Sequence, residues 1–282
     1  MAHETDPRLR EEADRPGPFT VSSLAANLRA LGLESGATVL VQSSLSALGY
    51  VVGGARSVVM ALTNVLGPTG TLVVPTHSNE LSDPRFWNHP PIPESWWPTV
   101  RSSMPAYDPA LTATRQMGAI AEMVRDLPGA LRSSHPRVSF CAVGPNASFV
   151  TAKHGLENGF DERSPLARLY DLAGSVLLLG VGHANNTSLH LGEGRAPASR
   201  PVVTEGAPMM VKGQRHWVTY QALDYDADDF EQVGAALASA GLERVGAVGA
   251  APSRLLSVVA MVDFAQEWFR VHRTWRDTSP TS

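Results

Sequence analysis

The stretch from Val176 to Arg195, VLLLGVGHANNTSLHLGEGR, constrains the fold more than any other part of the chain. Val176–Leu179 is an unbroken apolar run, long enough for a fully buried strand and too short for a helix. Gly180 and Gly182 then allow a tight backbone turn. His183, Asn185, Asn186, Thr187, Ser188, His190 and Glu193 crowd into the turns that follow. Thr187 or Asn186 is expected to cap a short helix. On that helix His190 and Glu193 stand three residues apart and share one face. An imidazole beside a carboxylate, past the end of a buried strand, suits a general base with its orienting acid. A solvated helical pair is the competing reading of the same spacing.

The rest of the chain sets bounds on that site. With 282 residues, 43% of them hydrophobic, there is material for one large core or two small domains. The formal net charge of −4 gives no basic footprint for nucleic acid and is compatible with a cationic small molecule. Cys141 is the single cysteine, so neither an internal disulfide nor a cysteine-rich zinc site is expected. No apolar run approaches the ~20 residues of a membrane span. The opening MAHETDPRLREEADRPGPF lacks the apolar centre of a signal peptide, so a soluble cytoplasmic protein is the expectation.

Residues 1–19 read as a flexible arm, 20–272 as one α/β domain, and 273–282 as a tail. Ser22–Leu31 has helical periodicity with Gly32 as its stop. Thr38–Val41 reads as a strand, Arg56–Leu66 as a helix and Thr71–Val74 as a second strand. This strand–loop–helix–strand unit implies a partly parallel sheet. The intervening loop, SSLSALGYVVGGA, carries hydroxyls, Gly53, Gly54 and a helix N-terminus that could hold a phosphate. It is neither a Walker A loop nor GxGxxG, and a plain connection fits it equally.

His77–Pro109 is proline-rich and aperiodic, with Trp87, Trp96, Trp97 and Tyr107 among several acids. It reads as the wall or lid of a cleft, or as a loop that its aromatic residues fasten to the core. Further on, the pattern predicts a helix over Thr112–Leu127, a strand over Val138–Val143 and a helix over Leu166–Leu172. A hairpin is expected from Pro201–Val211 and His216–Leu223. Asp228 is expected to cap a helix over Asp229–Ala240, and Arg254–Arg270 reads as a closing helix.

Several stretches, in order along the chain, resemble the aminoglycoside 3-N-acetyltransferases and the wider antibiotic N-acetyltransferases. They are VQSSLSALGYVVGG (41–54), GTLVVPT (70–76), MPAYDP (104–109), LRSSHP (131–136), SPLARLYDL (164–172) and LLLGVGHANNTSLHLGE (177–193). The resemblance, which is not to the GNAT acetyltransferases, implies a single three-layer α/β/α domain with a mixed, partly parallel sheet. It implies transfer of acetyl from acetyl-CoA to an amine of an aminoglycoside, at the 3-N position, with no metal. Direct transfer in a ternary complex would need no reactive cysteine. Ser43, Ser44, Val52, Gly53 and Gly54 would meet the cofactor. His190 would be the base supported by Glu193. Asp108 and Asp224 would bind or orient the substrate amine. No membrane or nucleic-acid partner is implied, and a homodimer stays open.

Three positions depart from the family pattern. Gln42 stands where a His is usual and cannot titrate. Gly182-His183-Ala184 lacks the carboxylate of a GHD motif. Gly192 replaces the alanine of HLAE, which suggests a looser helix.

Other chemistries remain to be weighed. The amine could be one of specialised metabolism, or the chain a weakly active or non-catalytic CoA-binding relative. A hydrolase using Ser188 or Ser44 with His190 lacks a GxSxG elbow. A zinc enzyme using His183, His190 and Glu193 lacks HExxH spacing. His183 reads best as a structural histidine, while His77 and His135 are undecided.

Overall fold

The computed structural model describes residues 17–88, 90–196 and 201–273. Most of the expected arm and tail, residues 1–16 and 274–282, therefore lies outside the described residues.

Helix α1 (Val21–Leu31) opens the fold. Thr20 and Ser23 cap it reciprocally, each side chain accepting from the other's backbone N–H, at 3.2 and 2.8 Å. Gly32, at φ 104°, ends it. Strand β1 (Thr38–Ser43), helix α2 (Gly54–Leu66) and strand β2 (Thr71–Pro75) form the expected crossover unit, with β1 and β2 parallel. A short helix α3 (Trp97–Ser103) lies within the proline-rich stretch, and α4 (Gly118–Arg125) follows it. Then come β3 (Leu131–Arg132), β4 (Phe140–Val143), α5 (Ala147–Thr151), α6 (Pro165–Asp171), β5 (Ser175–Leu179) and α7 (Leu189–Arg195). Strands β6 (Val202–Val211) and β7 (Gln214–Leu223) form a hairpin, followed by α8 (Phe230–Ser239), β8 (Glu243–Val248), β9 (Ala251–Ser257) and α9 (Val258–His272).

Seven strands form one mixed sheet in the order β3-β4-β2-β1-β5-β9-β8. Its centre, β2-β1-β5, is parallel, and antiparallel strands flank it on both sides. Alternation along β1 shows why the sheet is covered twice. Val39 and Val41 pack with Leu28, Leu62 and Val124 of α1, α2 and α4. Leu40, between them, packs on the opposite face with Leu169, Leu189, Val233 and Met261 of α6 to α9. This is the expected three-layer α/β/α arrangement. The β6–β7 hairpin turns at Lys212 and Gly213, both at positive φ (50° and 80°), as a two-residue hairpin turn requires.

Four expectations need correction, the first being the cap of α8: Asp229, not Asp228, precedes it, and it makes no side-chain cap. The helix expected over 112–127 starts only at Gly118, because Gln116 and Gly118 adopt φ of 60° and 82° and break any helix through them. The closing helix expected from Arg254 begins at Val258. Residues 251–257 instead form β9, which bonds to both β5 and β8, and Ser257 then caps α9. Ser188, not Thr187 or Asn186, precedes α7, and it makes no side-chain cap. No described helix is long and apolar enough to cross a membrane.

Candidate active site

The carboxyl ends of the parallel strands gather the polar groups singled out in the sequence. Beyond β5 the chain forms a single 3-10 turn at His183–Asn185 and then enters α7. In the first turn of α7, His190 Nδ1 meets Glu193 Oε2 at 2.6 Å. The Glu193 side chain is fully buried, whereas that of His190 is 13% exposed. A buried carboxylate must be compensated. Arg273 Nη1 does so at 2.6 Å from Glu193 Oε1, and the Asp226 backbone N–H donates to the same oxygen at 3.1 Å. Asp229 holds Arg273 in turn, its Oδ2 2.6 Å from Nε. Burial opposes the Arg273 charge, but the bonds and charges of Asp229 and Glu193 hold its pKa above the usual value.

Packing fixes the imidazole plane. Phe160 stacks on His190 with centroids 4.7 Å apart and planes 13° from parallel. Phe230 and Tyr225 close two further sides at 4.8 and 5.1 Å. With Nδ1 committed to Glu193, Nε2 is left to exchange a proton, and it takes no hydrogen bond among the described residues.

Neighbouring strand ends carry further polar atoms without partners. Gln42 on β1, His77 just past β2, and Asn186 and Ser188 beyond β5 are all buried. Gln42 Nε2, His77 Nε2, Asn186 Oδ1 and Ser188 Oγ have no hydrogen-bond partner among the described residues. Burial, with the charges of His190 and Arg137 adding to it, pushes His77 down to about 3, so it is neutral at physiological pH. Unpaired buried polar atoms are rare in folded proteins, and a group of them at the ends of parallel strands marks a place for a ligand.

Two clefts are lined by residues that neighbour this group in the chain, Ser43 and Asn185 in one and Asn79 in the other. One, of about 590 Å³, is lined by Ser43–Ser46, residues 116–119, Gly180, Val181 and Asn185. The other, of about 610 Å³, is lined by Asn79, Glu80, Trp87, Asn88, Pro90, Ile92, Arg115 and Gln116. Gln116 belongs to both. The stretch after β2 thus forms a cleft wall, and Glu80 Oε2 is buried there without a partner.

The remaining candidate residues are dispersed. Ser44 Oγ bonds Ser46 Oγ at 3.1 Å in the first cleft. Val52, Gly53 and Gly54 do not line it. They form the turn that launches α2, where a Cβ on Gly53 would meet Ser57 Oγ at 2.6 Å. Asp108 Oδ1 accepts the Ala110 and Leu111 amides at 2.7 and 3.1 Å and so closes its own turn. Asp224 is exposed, one residue before Tyr225, whose ring packs on His190.

His183 is sealed, with Nε2 3.0 Å from Glu243 Oε2 and Nδ1 3.3 Å from Asn186 Nδ2, as a structural histidine would be. His135 is likewise structural, its Nδ1 accepting the Arg137 and Val138 amides at 3.1 Å each. Gly192 does not loosen α7. A Cβ there would lie 2.9 Å from the Val262 carbonyl, so the glycine lets α7 and α9 approach closely. A carboxylate also reaches the turn at Ala184: Glu231 Oε1, from α8, accepts the Ala184 amide at 2.8 Å. Neither Ser44 nor Ser188 hydrogen-bonds His190 among the described residues.

Sequence reasoning missed Arg273, eighty residues from its partner Glu193 and assigned to the tail. It also missed the lining at Gln116–Ala119 and the Phe160 and Phe230 rings, which carry no local motif.

Comparison with known proteins gives this geometry a family. The aminoglycoside 3-N-acetyltransferase family matches residues 40–270. The SPbeta prophage-derived aminoglycoside N(3′)-acetyltransferase-like protein YokD of Bacillus subtilis (strain 168) is 45% identical over 253 residues, covering 89% of this chain and 93% of that protein. A crystal structure of YokD aligns with a TM-score of 0.88 at 44% identity, covering 90% of this chain and 94% of that one. Aminoglycoside N(3)-acetyltransferase VII of Streptomyces paromomycinus is 39% identical over 267 residues, covering 89% and 92%. The binary complex of AAC-IIIb with CoASH aligns with a TM-score of 0.79 at 30% identity, covering 89% and 96%. The chain belongs to the aminoglycoside 3-N-acetyltransferase family. It is an acyltransferase of the N(3)-acetyltransferase type.

Proposed function

We propose that this protein transfers the acetyl group of acetyl-CoA to an amine of an aminoglycoside, at the 3-N position by family resemblance, directly within a ternary complex. One observation carries the reading: His190 has Nδ1 bound to a buried carboxylate and Nε2 without a hydrogen bond, at the ends of parallel strands.

The residues present fit acetyl-CoA. The 590 Å³ cleft offers the Ser43 and Ser44 hydroxyls, and the relative AAC-IIIb is known with CoASH bound. When bound, acetyl-CoA supplies the acyl group as a thioester, whose sulfur leaves as the amine nitrogen takes the acyl carbon. The protein's work is proton transfer and positioning. An ammonium must lose a proton to become a nucleophile, and His190 Nε2 accepts it. Glu193 orients the ring and stabilises the imidazolium that forms, and Arg273 and the Asp226 amide keep Glu193 in place. A base of this kind contributes about 10²–10⁴-fold. Glu80, in the adjoining 610 Å³ cleft, offers an unpaired carboxylate oxygen to a polycationic acceptor. Asp224, exposed beside Tyr225, supplies further negative charge.

The test is thiol release from acetyl-CoA by purified protein, with aminoglycosides beside simple amines. Release that depends on an aminoglycoside, with acetyl located on the 3-amine by NMR, supports the proposal. Release with simple amines alone would transfer it to another substrate class. Acetyl-CoA binding without turnover would make the chain a non-catalytic relative.

A further inference from the structure

Gln42 ends the buried part of β1 on the same sheet face as Leu40, the face that α7 covers. It is 5% exposed. Its Oε1 accepts the Thr187 hydroxyl at 3.3 Å, which fixes the rotation of the amide. Both N–H groups of Nε2 are then left buried without an acceptor among the described residues. A buried donor that nothing satisfies is unfavourable.

Its neighbours indicate what does. The next residue, Ser43, lines the 590 Å³ cleft. Thr187, which grips the amide, also accepts the His190 backbone N–H on its carbonyl at 3.1 Å. The unpaired donor is therefore tied, through Thr187, to the turn that carries the base. Acyl transfer brings a carbonyl to the base, and its oxygen gains negative charge as the amine adds.

We infer that the Gln42 side-chain amide donates a hydrogen bond to the acyl carbonyl oxygen and stabilises the charge that develops there, a role that rests on the acetyl-transfer reading. Gln42 fits it because its amide does not titrate, so the donor is present at every working pH. Thr187 holds it in advance of the reaction, so little reorganisation is needed as charge builds. His77 Nε2 and Ser188 Oγ are also unpartnered, but neither is fixed by a second hydrogen bond from the turn that carries the base.

The experiment reads the carbonyl itself. Infrared difference spectra are taken of acetyl-CoA labelled with ¹³C at the acyl carbonyl, bound to the protein without acceptor amine. The carbonyl band of the wild-type complex is expected below that of free acetyl-CoA. In Gln42→Met, nearly matched in volume, it returns to the free position, and in Gln42→His, which restores a ring N–H, it stays shifted. Gln42→Met is expected to lower kcat about 10²–10³-fold, while its affinity for CoA lacking the acetyl group is unchanged. Thr187→Val broadens the band by releasing the amide, which keeps the idea testable if the Met variant folds poorly. A wild-type band at the free position, or one that Gln42→Met leaves in place, overturns the role of Gln42 alone. Failure of the wild-type protein to bind acetyl-CoA overturns the acetyl-transfer reading as well.

Discussion

Two histidine–glutamate pairs, with histidines in the same stretch after β5, are built for opposite ends. His190–Glu193 is closed at 2.6 Å and His183–Glu243 at 3.0 Å. Both carboxylates are compensated, Glu193 by Arg273 at 2.6 Å and Glu243 by Arg254 at 3.5 Å. The difference lies in the other ring nitrogen. His183 Nδ1 faces Asn186, and its ring lies against Gly234, where a Cβ would come within 2.4 Å. His190 leaves Nε2 without a bond, and its side chain is 13% exposed against 4% for His183. A histidine next to a carboxylate is therefore not a catalytic signature in itself. The second nitrogen and its access decide.

This contrast can be broken by substitution. The largest effect is expected for His190→Ala, which should lower kcat by about 10²–10⁴-fold and leave acetyl-CoA binding intact, measured by steady-state kinetics and calorimetry. His183→Ala should do the reverse. Leaving Glu243 buried with only Arg254 costs about 3 kcal/mol in denaturant unfolding, while kcat stays close to wild type where both proteins are folded. Gly234→Ala should follow at about 1–3 kcal/mol, because the added methyl meets the His183 ring. Preserved stability would show that α8 shifts to accept it.

A smaller, graded effect comes from histidines outside both pairs. Burial pushes His77 down to about 3, His154 to about 4, and His135 well below its usual value. In the unfolded chain they titrate near 6.5. Between these limits the unfolded state binds more protons, so stability is complete above about pH 6.5 and falls with acid. Each histidine contributes up to about 1.4 kcal/mol per pH unit in that window. Urea unfolding at several pH values between 7 and 4 checks this, and a flat profile would mean that these rings are accessible to protons.

The sequence made the parallel centre of the sheet legible because Val176–Leu179 and the β1–α2–β2 unit are defined by local apolar runs and turns. Strand β9 was not legible. Leu255, Leu256, Val258, Met261 and Val262 read equally as a helical face, and only pairing with β5 and β8 separates strand from helix. The site divides in the same way. His190 and Glu193 are three residues apart, so helix geometry alone joins them. Arg273 reaches Glu193 from the far end of the chain, and Gln116 enters the clefts through a left-handed backbone that hydrophobic periodicity cannot show. Local order is written in spacing, whereas contacts made by folding are not.

The measurement that bears most directly on the account is chemical rescue. His190→Ala and His183→Ala are assayed for aminoglycoside-dependent thiol release with and without added imidazole. The account predicts that imidazole restores part of the lost rate in His190→Ala, in proportion to its neutral form, and does nothing for His183→Ala. A His190→Ala variant that turns over at the wild-type rate without imidazole would contradict it and place the base elsewhere.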